Sequence, residues 1–304
     1  MKQTVLILGA SGRFGRHAAT AFGDAGWTVR RFNRATDTLP DAVRGVQVIV
    51  NGWNPPYTEW AATLPDLHAS VIAAAKSVDA LVIVPGNVYV YGPANPGVWS
   101  LTTPHDATNP LGRIRQDMER AYRDSGVRTI LLRGGDFIDT QASGNWFDKI
   151  MAPKVGRGVF TYPGNPGIPH AWAYLPDMAR AAVLLAGMPD NLNTFEEVPF
   201  PGYTLTGRDI AQHLGEITGQ PMRVKRMDWL PLRLLTPFWK LARHLQEMRY
   251  LWNTPHALDD ARLRALLPDF EPTPVAQALA RAIPQDVIAP TRRSQNSRSA
   301  QTIR

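Results

Sequence analysis

Apolar residues along the first half of the chain alternate between two spacings. Short β-rich runs, VLIL at 5–8, TVRRF at 28–32, VQVIVNG at 46–52, ALVIVPG at 80–86 and RTILLRGG at 128–135, read as strands. Between them the apolar positions recur at helical intervals. Phe14, Ala18, Ala21, Phe22 and Ala25 share one face and stop at Gly26, a second helix spans 60–76, and a third begins at Pro110 and ends near Gly126. Strand and helix in regular alternation predict an α/β fold, a doubly wound parallel sheet with helices on both faces.

Beyond about residue 145 the regularity breaks. The stretch GVFTYPGNPGIPHAWAYLPD, rich in Pro, Gly and aromatics, predicts loops rather than sheet. A helix at 176–187 and an edge strand at 195–200 return to the main body. From 204 to about 284 the pattern is mostly helical and broken by prolines, with TLTGRDIAQHLGEITG carrying an N-terminal cap and ending on Gly219. The expected division is therefore 1–200 for the sheet domain with a loop insertion at 140–175, 201–288 for a smaller, mostly helical C-terminal substrate lobe, and 289–304 for a disordered basic tail.

Composition narrows the classes. With 304 residues and 44% hydrophobic content the chain can bury a sizeable core. No cysteine is present, so disulfides, thiolate metal sites and a cysteine nucleophile are excluded; no leader or membrane span is expected, and a cytoplasmic protein is the default. Four of the seven net positive charges are Arg292, Arg293, Arg298 and Arg304 in the tail, and no basic stripe with interleaved aromatics is read in the body, so nucleic acid is not expected as a partner. Seven histidines without HxH or HxxxH spacing predict no metal site, and no GxSxG elbow is present. The segment WLPLRLLTPFWKLARHLQEMRYLW, interrupted by proline, reads as a helix pair lining a pocket or a subunit interface, possible in a homodimer, in preference to a membrane-surface helix.

The strongest chemical signal is GASGRFG. Gly9, Gly12 and Gly15 lie between the first strand and the first helix, where glycine allows a sharp turn, close approach of a pyrophosphate and tight helix–strand packing, while the helix start offers free N–H groups; Ser11, Arg13 and Phe14 complete the loop. A carboxylate about 20 residues after the first glycine would mark NAD, but VRRFNRAT at 29–36 holds no acid. Arg30, Arg31 and Arg34, with Arg13 in the glycine loop, could pair with a 2′-phosphate, so NADP is favoured over NAD; Arg34 and Arg13 are the stronger candidates and Arg30 is read as a surface charge.

These features resemble an extended or atypical short-chain dehydrogenase/reductase, the group containing the NAD-dependent epimerase/dehydratase proteins. The likeness covers residues 2–285 and rests on GASGRFG, VPGNVYVYGP, NPLGRIRQDMERA, ILLRGGDF, WAYLPDMARA and YLWNTPHALDDARLRALL. It implies a Rossmann-type domain with the substrate held by the C-terminal lobe. It also exposes departures: Asn87 stands where the family has Ser or Thr, and Leu111 and Arg115 replace the Tyr and Lys that move a proton, although Gly112 and Glu119 match. Leucine has no proton to give, and arginine can hydrogen-bond ribose hydroxyls but is a poor acid.

Proton transfer must then come from elsewhere. Tyr122 is about 16 Å further along the same helix. Tyr89, at the carboxyl end of the fourth strand, can touch substrate; Tyr91 matches a packing tyrosine; His105 and His170 can border the pocket. The expected catalytic set is Asn87, Tyr89 and Arg115, with Arg115 also a ribose contact and Leu111 and His170 as pocket walls. The leading expectation is an NADP-binding oxidoreductase acting on a small, partly apolar molecule with a non-standard proton donor. A catalytically silent NADP-binding regulator is the alternative, and a sugar-nucleotide epimerase or dehydratase is third.

Overall fold

Each apolar run folds as a strand because its side chains have helices to bury against on both sides. The computed structural model describes residues 2–289, so the expected basic tail lies outside the described residues from 290 onward. The first half comprises β1 (Thr4–Leu8), α1 (Arg13–Asp24), β2 (Thr28–Arg31), the single turn α2 (Leu39–Ala42), β3 (Val48–Asn51), α3 (Trp60–Val78), β4 (Leu81–Gly86), β5 (Gly97–Trp99), α4 (Pro110–Ser125), β6 (Thr129–Arg133) and β7 (Asp136–Ile138). The second comprises β8 (Val159–Tyr162), β9 (His170–Tyr174), α5 (Leu175–Ala186), β10 (Phe195–Pro199), β11 (Tyr203–Leu205), α6 (Gly207–Thr218), β12 (Arg223–Arg226), α7 (Leu230–Leu235), α8 (Lys240–Glu247), β13 (His256–Leu258), α9 (Ala261–Leu266) and α10 (Val275–Ala282).

Six strands form one parallel sheet in the order β10-β6-β4-β3-β1-β2. Helices α1 and α5 cover one face and α3 and α4 the other. Val5, Leu6, Ile7 and Leu8 have no accessible surface, and each such side chain contributes roughly 1.5–3 kcal/mol of transfer free energy, so the central strands anchor the domain. The order reverses direction at β1: β2 lies on one side and β3 on the other. That leaves a crevice beyond the carboxyl ends of β1 and β3, the place where such sheets accept ligands.

One expectation needs correction. The stretch at 140–175 is not loop alone, because VFTY and HAWAY, short enough to hide between Pro and Gly, form β8 and β9. The C-terminal segment carries the helices α6 to α10 and, besides them, three short strands: β11 pairs with β9, β12 with β8 and β13 with β5, which knits it to the earlier segments. Their isolated three- and four-residue runs acquire partners only through long-range contacts, which local periodicity does not encode. The cap on α6 is as expected, with a Thr206–Asp209 capping box and Gly219 left-handed at φ 69°.

One buried ion cluster ties these layers together. Arg133, at the end of β6 and fully buried, donates to both oxygens of Glu119 on α4 (2.9 and 2.8 Å), twice to Glu197 on β10 (2.9 and 2.7 Å), and to the Asn87 carbonyl after β4. Removing one member of such a cluster leaves its partners charged in a dry interior. Arg133→Leu is expected to lower the unfolding free energy by about 3–5 kcal/mol, read from urea or thermal unfolding, because Glu119 and Glu197 lose their counter-charge.

Candidate active site

The crevice is floored by three glycines. Gly9 is left-handed at φ 72°, and a Cβ added to Gly15 would fall 2.1 Å from the Gly9 carbonyl oxygen; on Gly52, just past β3, it would fall 2.8 Å from that of Leu8. The backbone turn, the first turn of α1 and the end of β3 thus interlock at contact distance. Gly12 precedes α1 with no side-chain cap, and the first turn, Arg13, Phe14 and Gly15, holds no acid, so its N–H groups point into the crevice beside the exposed Ser11. Phe14 is buried beneath. This cradle fits the pyrophosphate of a dinucleotide, since a Cβ would fill it and an anion meets only backbone donors. Gly52 escaped the sequence reading, although its place at the end of the strand beside β1 was the signal.

Arg13 departs from its expected role. Its guanidinium donates to the carbonyl oxygens of Ser143 (2.9 Å) and Gly144 (2.8 Å), which ties α1 to the loop after β7. Arg16 and His17 grip Asp139 in the same loop, and their hydrogen bonds outweigh burial to hold its carboxyl down at about 2. A 2′-phosphate would have to compete with those carbonyls, so Arg13 reads as a loop latch instead. Arg30 donates to the carbonyls of Ala42 and Arg44. Arg31 and Arg34 are exposed and their side chains make no hydrogen bond or ion pair among the described residues; the Arg34 guanidinium lies 4.6 Å above the centre of the Trp53 ring. Asp37, one residue beyond the acid-free stretch, accepts the Asn33 N–H, which lowers its pKa further.

Helix α4 presents the two substituted positions differently. Leu111 has no accessible surface and packs among Trp60, Val90, Tyr91 and Met248, so it belongs to the core and not to an open wall. Arg115 is buried on the crevice side: it donates to Asn54 (2.7 Å), lies 4.1 Å over the Trp60 ring, and leaves its Nε–H without a protein partner. Burial pulls the guanidinium below its usual value. Beside it, Tyr57 and Tyr89 share a 2.6 Å hydrogen bond between their hydroxyls. Burial raises both phenols, Tyr89 well above the usual tyrosine value, against the opposing field of Arg115. The Asn87 side-chain oxygen accepts the Tyr89 N–H (3.0 Å), which sets the turn and leaves its amide NH2 to donate elsewhere. Sequence reading identified Tyr89 and missed Tyr57, which lies in the NPPYTEW loop that follows β3.

Asp136 adds a carboxylate whose charge is felt by both phenols. It bonds His170 Nε2 at 2.8 Å. His170 is itself buried, stacked on Trp252 at 4.5 Å, with its Nδ1 unpartnered. It is therefore part of an aromatic stack with His256 and Trp99 behind the pocket rather than a wall of it. Tyr91 stacks on Trp99, and Tyr122 bonds Asn51 and His68 behind the site. His105 meets Glu119 and Glu197, with ligand atoms all within 4.8 Å of one another. Burial and then the field of Arg133 lower the His105 pKa, and Arg133 already supplies the positive charge that both carboxylates need, which leaves little attraction for a metal ion.

No protein-family model matches the chain, and no curated protein matches it. Solved structures do share its fold. MoeE5 in complex with UDP-glucose and NAD has a TM-score of 0.71 at 15% identity, over 92% of this chain and 97% of that one. UDP-glucuronic acid 4-epimerase from Bacillus cereus in complex with NAD gives 0.70 at 14% identity, over 94% and 98%. UDP-glucose 4-epimerase from Brucella ovis in complex with NAD gives 0.68 at 16% identity, over 94% and 99%. The expected resemblance to the epimerase/dehydratase group thus holds at the level of fold, a Rossmann-type sheet with a knitted C-terminal lobe.

Gly15→Ala is expected to abolish dinucleotide binding in a fluorescence titration, because its Cβ cannot coexist with the Gly9 carbonyl at 2.1 Å. Gly23→Ala, on the exposed side of α1 where a Cβ meets only the Val29 side chain at 3.9 Å, should bind as the unaltered protein does.

Proposed function

We propose that this protein is a nicotinamide-dinucleotide-dependent oxidoreductase that prefers NADP and reduces a carbonyl in a small, partly apolar substrate. The observation that carries this reading is the Tyr57–Tyr89 hydroxyl pair, beside Arg115 and the same crevice as the glycine cradle. When bound, the nicotinamide supplies the hydride that adds to the carbonyl carbon. Tyr89 Oη gives its proton to the carbonyl oxygen, and Tyr57 passes a replacement across the 2.6 Å bond. Arg115 holds the site positive and, through its unpartnered Nε–H, is suited to a ribose or substrate oxygen. Arg34 over Trp53 is suited to a 2′-phosphate.

A phenol with a raised pKa stays protonated through neutral pH, so the proton is present but held by a weak acid, which releases it only to an oxygen that becomes strongly basic as hydride arrives. Reduction starts from this populated phenol, whereas oxidation needs the sparsely populated phenolate. The expected reduction rate is flat from about pH 6 to 9, whereas any reverse oxidation rises with pH throughout that range because it needs a phenolate. Tyr89→Phe should lower kcat by about 10²–10⁴-fold with little change in cofactor affinity. A Tyr89→Phe protein that retains full activity would sink the assignment.

Arg34→Ala is expected to weaken NADPH binding about tenfold and leave NADH binding unchanged, since a charge-assisted bond to phosphate is lost. Two other readings have specific support. The complete burial of Leu111, with the raised phenols, favours a silent dinucleotide-binding regulator; NADPH binding without turnover of any carbonyl in a metabolite screen would identify it. The fold shared with UDP-sugar epimerases favours a nucleotide-sugar substrate, which saturable binding of UDP-glucose would support.

A further inference from the structure

The segment read as a helix pair lining a pocket or a subunit interface is buried at Trp229, Ala242, Met248, Leu251 and Trp252 but leaves other apolar side chains exposed. Among the described residues eight large hydrophobic side chains are exposed, and five of them, Leu230, Leu234, Leu235, Phe238 and Trp239, fall on α7 and the turn that follows it. Phe238 is 90% exposed. Patches of this kind on a soluble surface mark an interaction site.

Charge decides what covers it. From Arg223 to Arg249 the sequence holds seven cations and two acids, a net +5 out of +7 for the whole chain. All seven cations are exposed, and among the described residues none makes an ion pair. Both acids are engaged locally: Asp228 accepts the Leu230 N–H, and Glu247 accepts from Asn109 and the Leu111 N–H. Beside Leu230 a cleft of about 230 Å³ is lined by Arg226, Arg233 and Arg249 against the single carboxylate of Asp228, with Trp229 as a buried side. Trp229 is fixed by a bond from its Nε1 to the Pro163 carbonyl and lies 5.3 Å under the Arg249 guanidinium.

We propose that this face docks onto an anionic phospholipid surface, with Phe238, Trp239 and the α7 leucines entering the interface and a headgroup phosphate seated among Arg226, Arg233 and Arg249. Leucine and aromatic side chains amid unpaired Arg and Lys are the chemistry of interfacial membrane binding. A second copy is a poorer occupant, since a two-fold interface would set this +5 patch against itself. Among the described residues no helix is long and apolar enough to cross a membrane, so the contact is peripheral. Helix α8, which carries Lys240 and Arg243, is bonded through Glu247 to the first turn of α4, the helix of Arg115. Docking therefore engages an element continuous with the candidate site.

The test is co-sedimentation of the full chain with vesicles of phosphatidylcholine alone and with about one-third phosphatidylglycerol. Binding is expected to the anionic vesicles only, to weaken with salt, to fall about tenfold for Phe238→Asp, and to fall about fivefold for Arg233→Gln. The residues after 290, with their arginines, are present in every variant, so binding by the tail alone would leave Phe238→Asp unchanged and overturn the proposal. It is equally overturned by failure to sediment, by equal binding to neutral vesicles, or by a concentration-dependent dimer in size exclusion that Phe238→Asp abolishes. An unchanged thermal unfolding curve for Phe238→Asp establishes that the loss is one of docking and not of folding.

Discussion

Arg133 is the residue on which the geometry of the site depends. Its guanidinium reaches α4 through Glu119, β10 through Glu197 and the turn after β4 through the Asn87 carbonyl, with both nitrogens of its fork used on carboxylates. Tyr89 hangs from that turn and Arg115 lies one helical turn before Glu119, so the spacing between the phenol pair and the guanidinium beside it is inherited from a buried charge cluster. Such clusters add little net stability over an apolar core, but they tolerate few alternative arrangements. Here that intolerance keeps helix, sheet edge and turn in one register.

Chemistry at the site follows from a trade between burial and field. Leu111 is wholly buried, and its side chain closes the cluster around Trp60 and Tyr91. Two hydroxyl groups meet on the segments that follow β3 and β4, those of Tyr57 and Tyr89. Arg115 cannot serve as a proton carrier, yet its charge opposes the desolvation that raises both phenols. Loop 139–148 is meanwhile latched to α1 by Arg13, Arg16 and His17, so the cofactor cradle and the loop above it form one unit. Arg13 and Arg30 are both engaged by carbonyl oxygens, whereas Arg34 lies over the Trp53 ring.

The C-terminal lobe is a partner to the sheet domain rather than an appendage. Its strands complete small sheets begun by β5, β8 and β9, while α7 and the turn after it carry most of the large exposed apolar side chains among the described residues. The charge distribution follows the same division: the tail and the segment around α7 and α8 hold the positive excess, and the rest of the chain is net −2. The basic and apolar segment is nonetheless tied to the crevice, since Glu247 at its end accepts the Leu111 N–H in the first turn of α4.

By itself the sequence determined the alternating elements of the sheet domain, the glycine loop, the absence of an acid after β2 and the substitutions at Leu111 and Arg115, because each is encoded within a few neighbouring residues. Helix periodicity, strand runs and cap residues such as Thr206 and Gly219 are local signals of this kind. Only the tertiary structure decided that Tyr57 faces Tyr89 across 32 residues, that Arg13 is spent on carbonyls 130 residues away, that His170 is buried behind Asp136 and that β8 and β9 are strands. Those outcomes depend on contacts between segments distant in sequence, and a side chain's burial and hydrogen-bond partners, which set its proton affinity and its availability to a ligand, exist only once those segments meet.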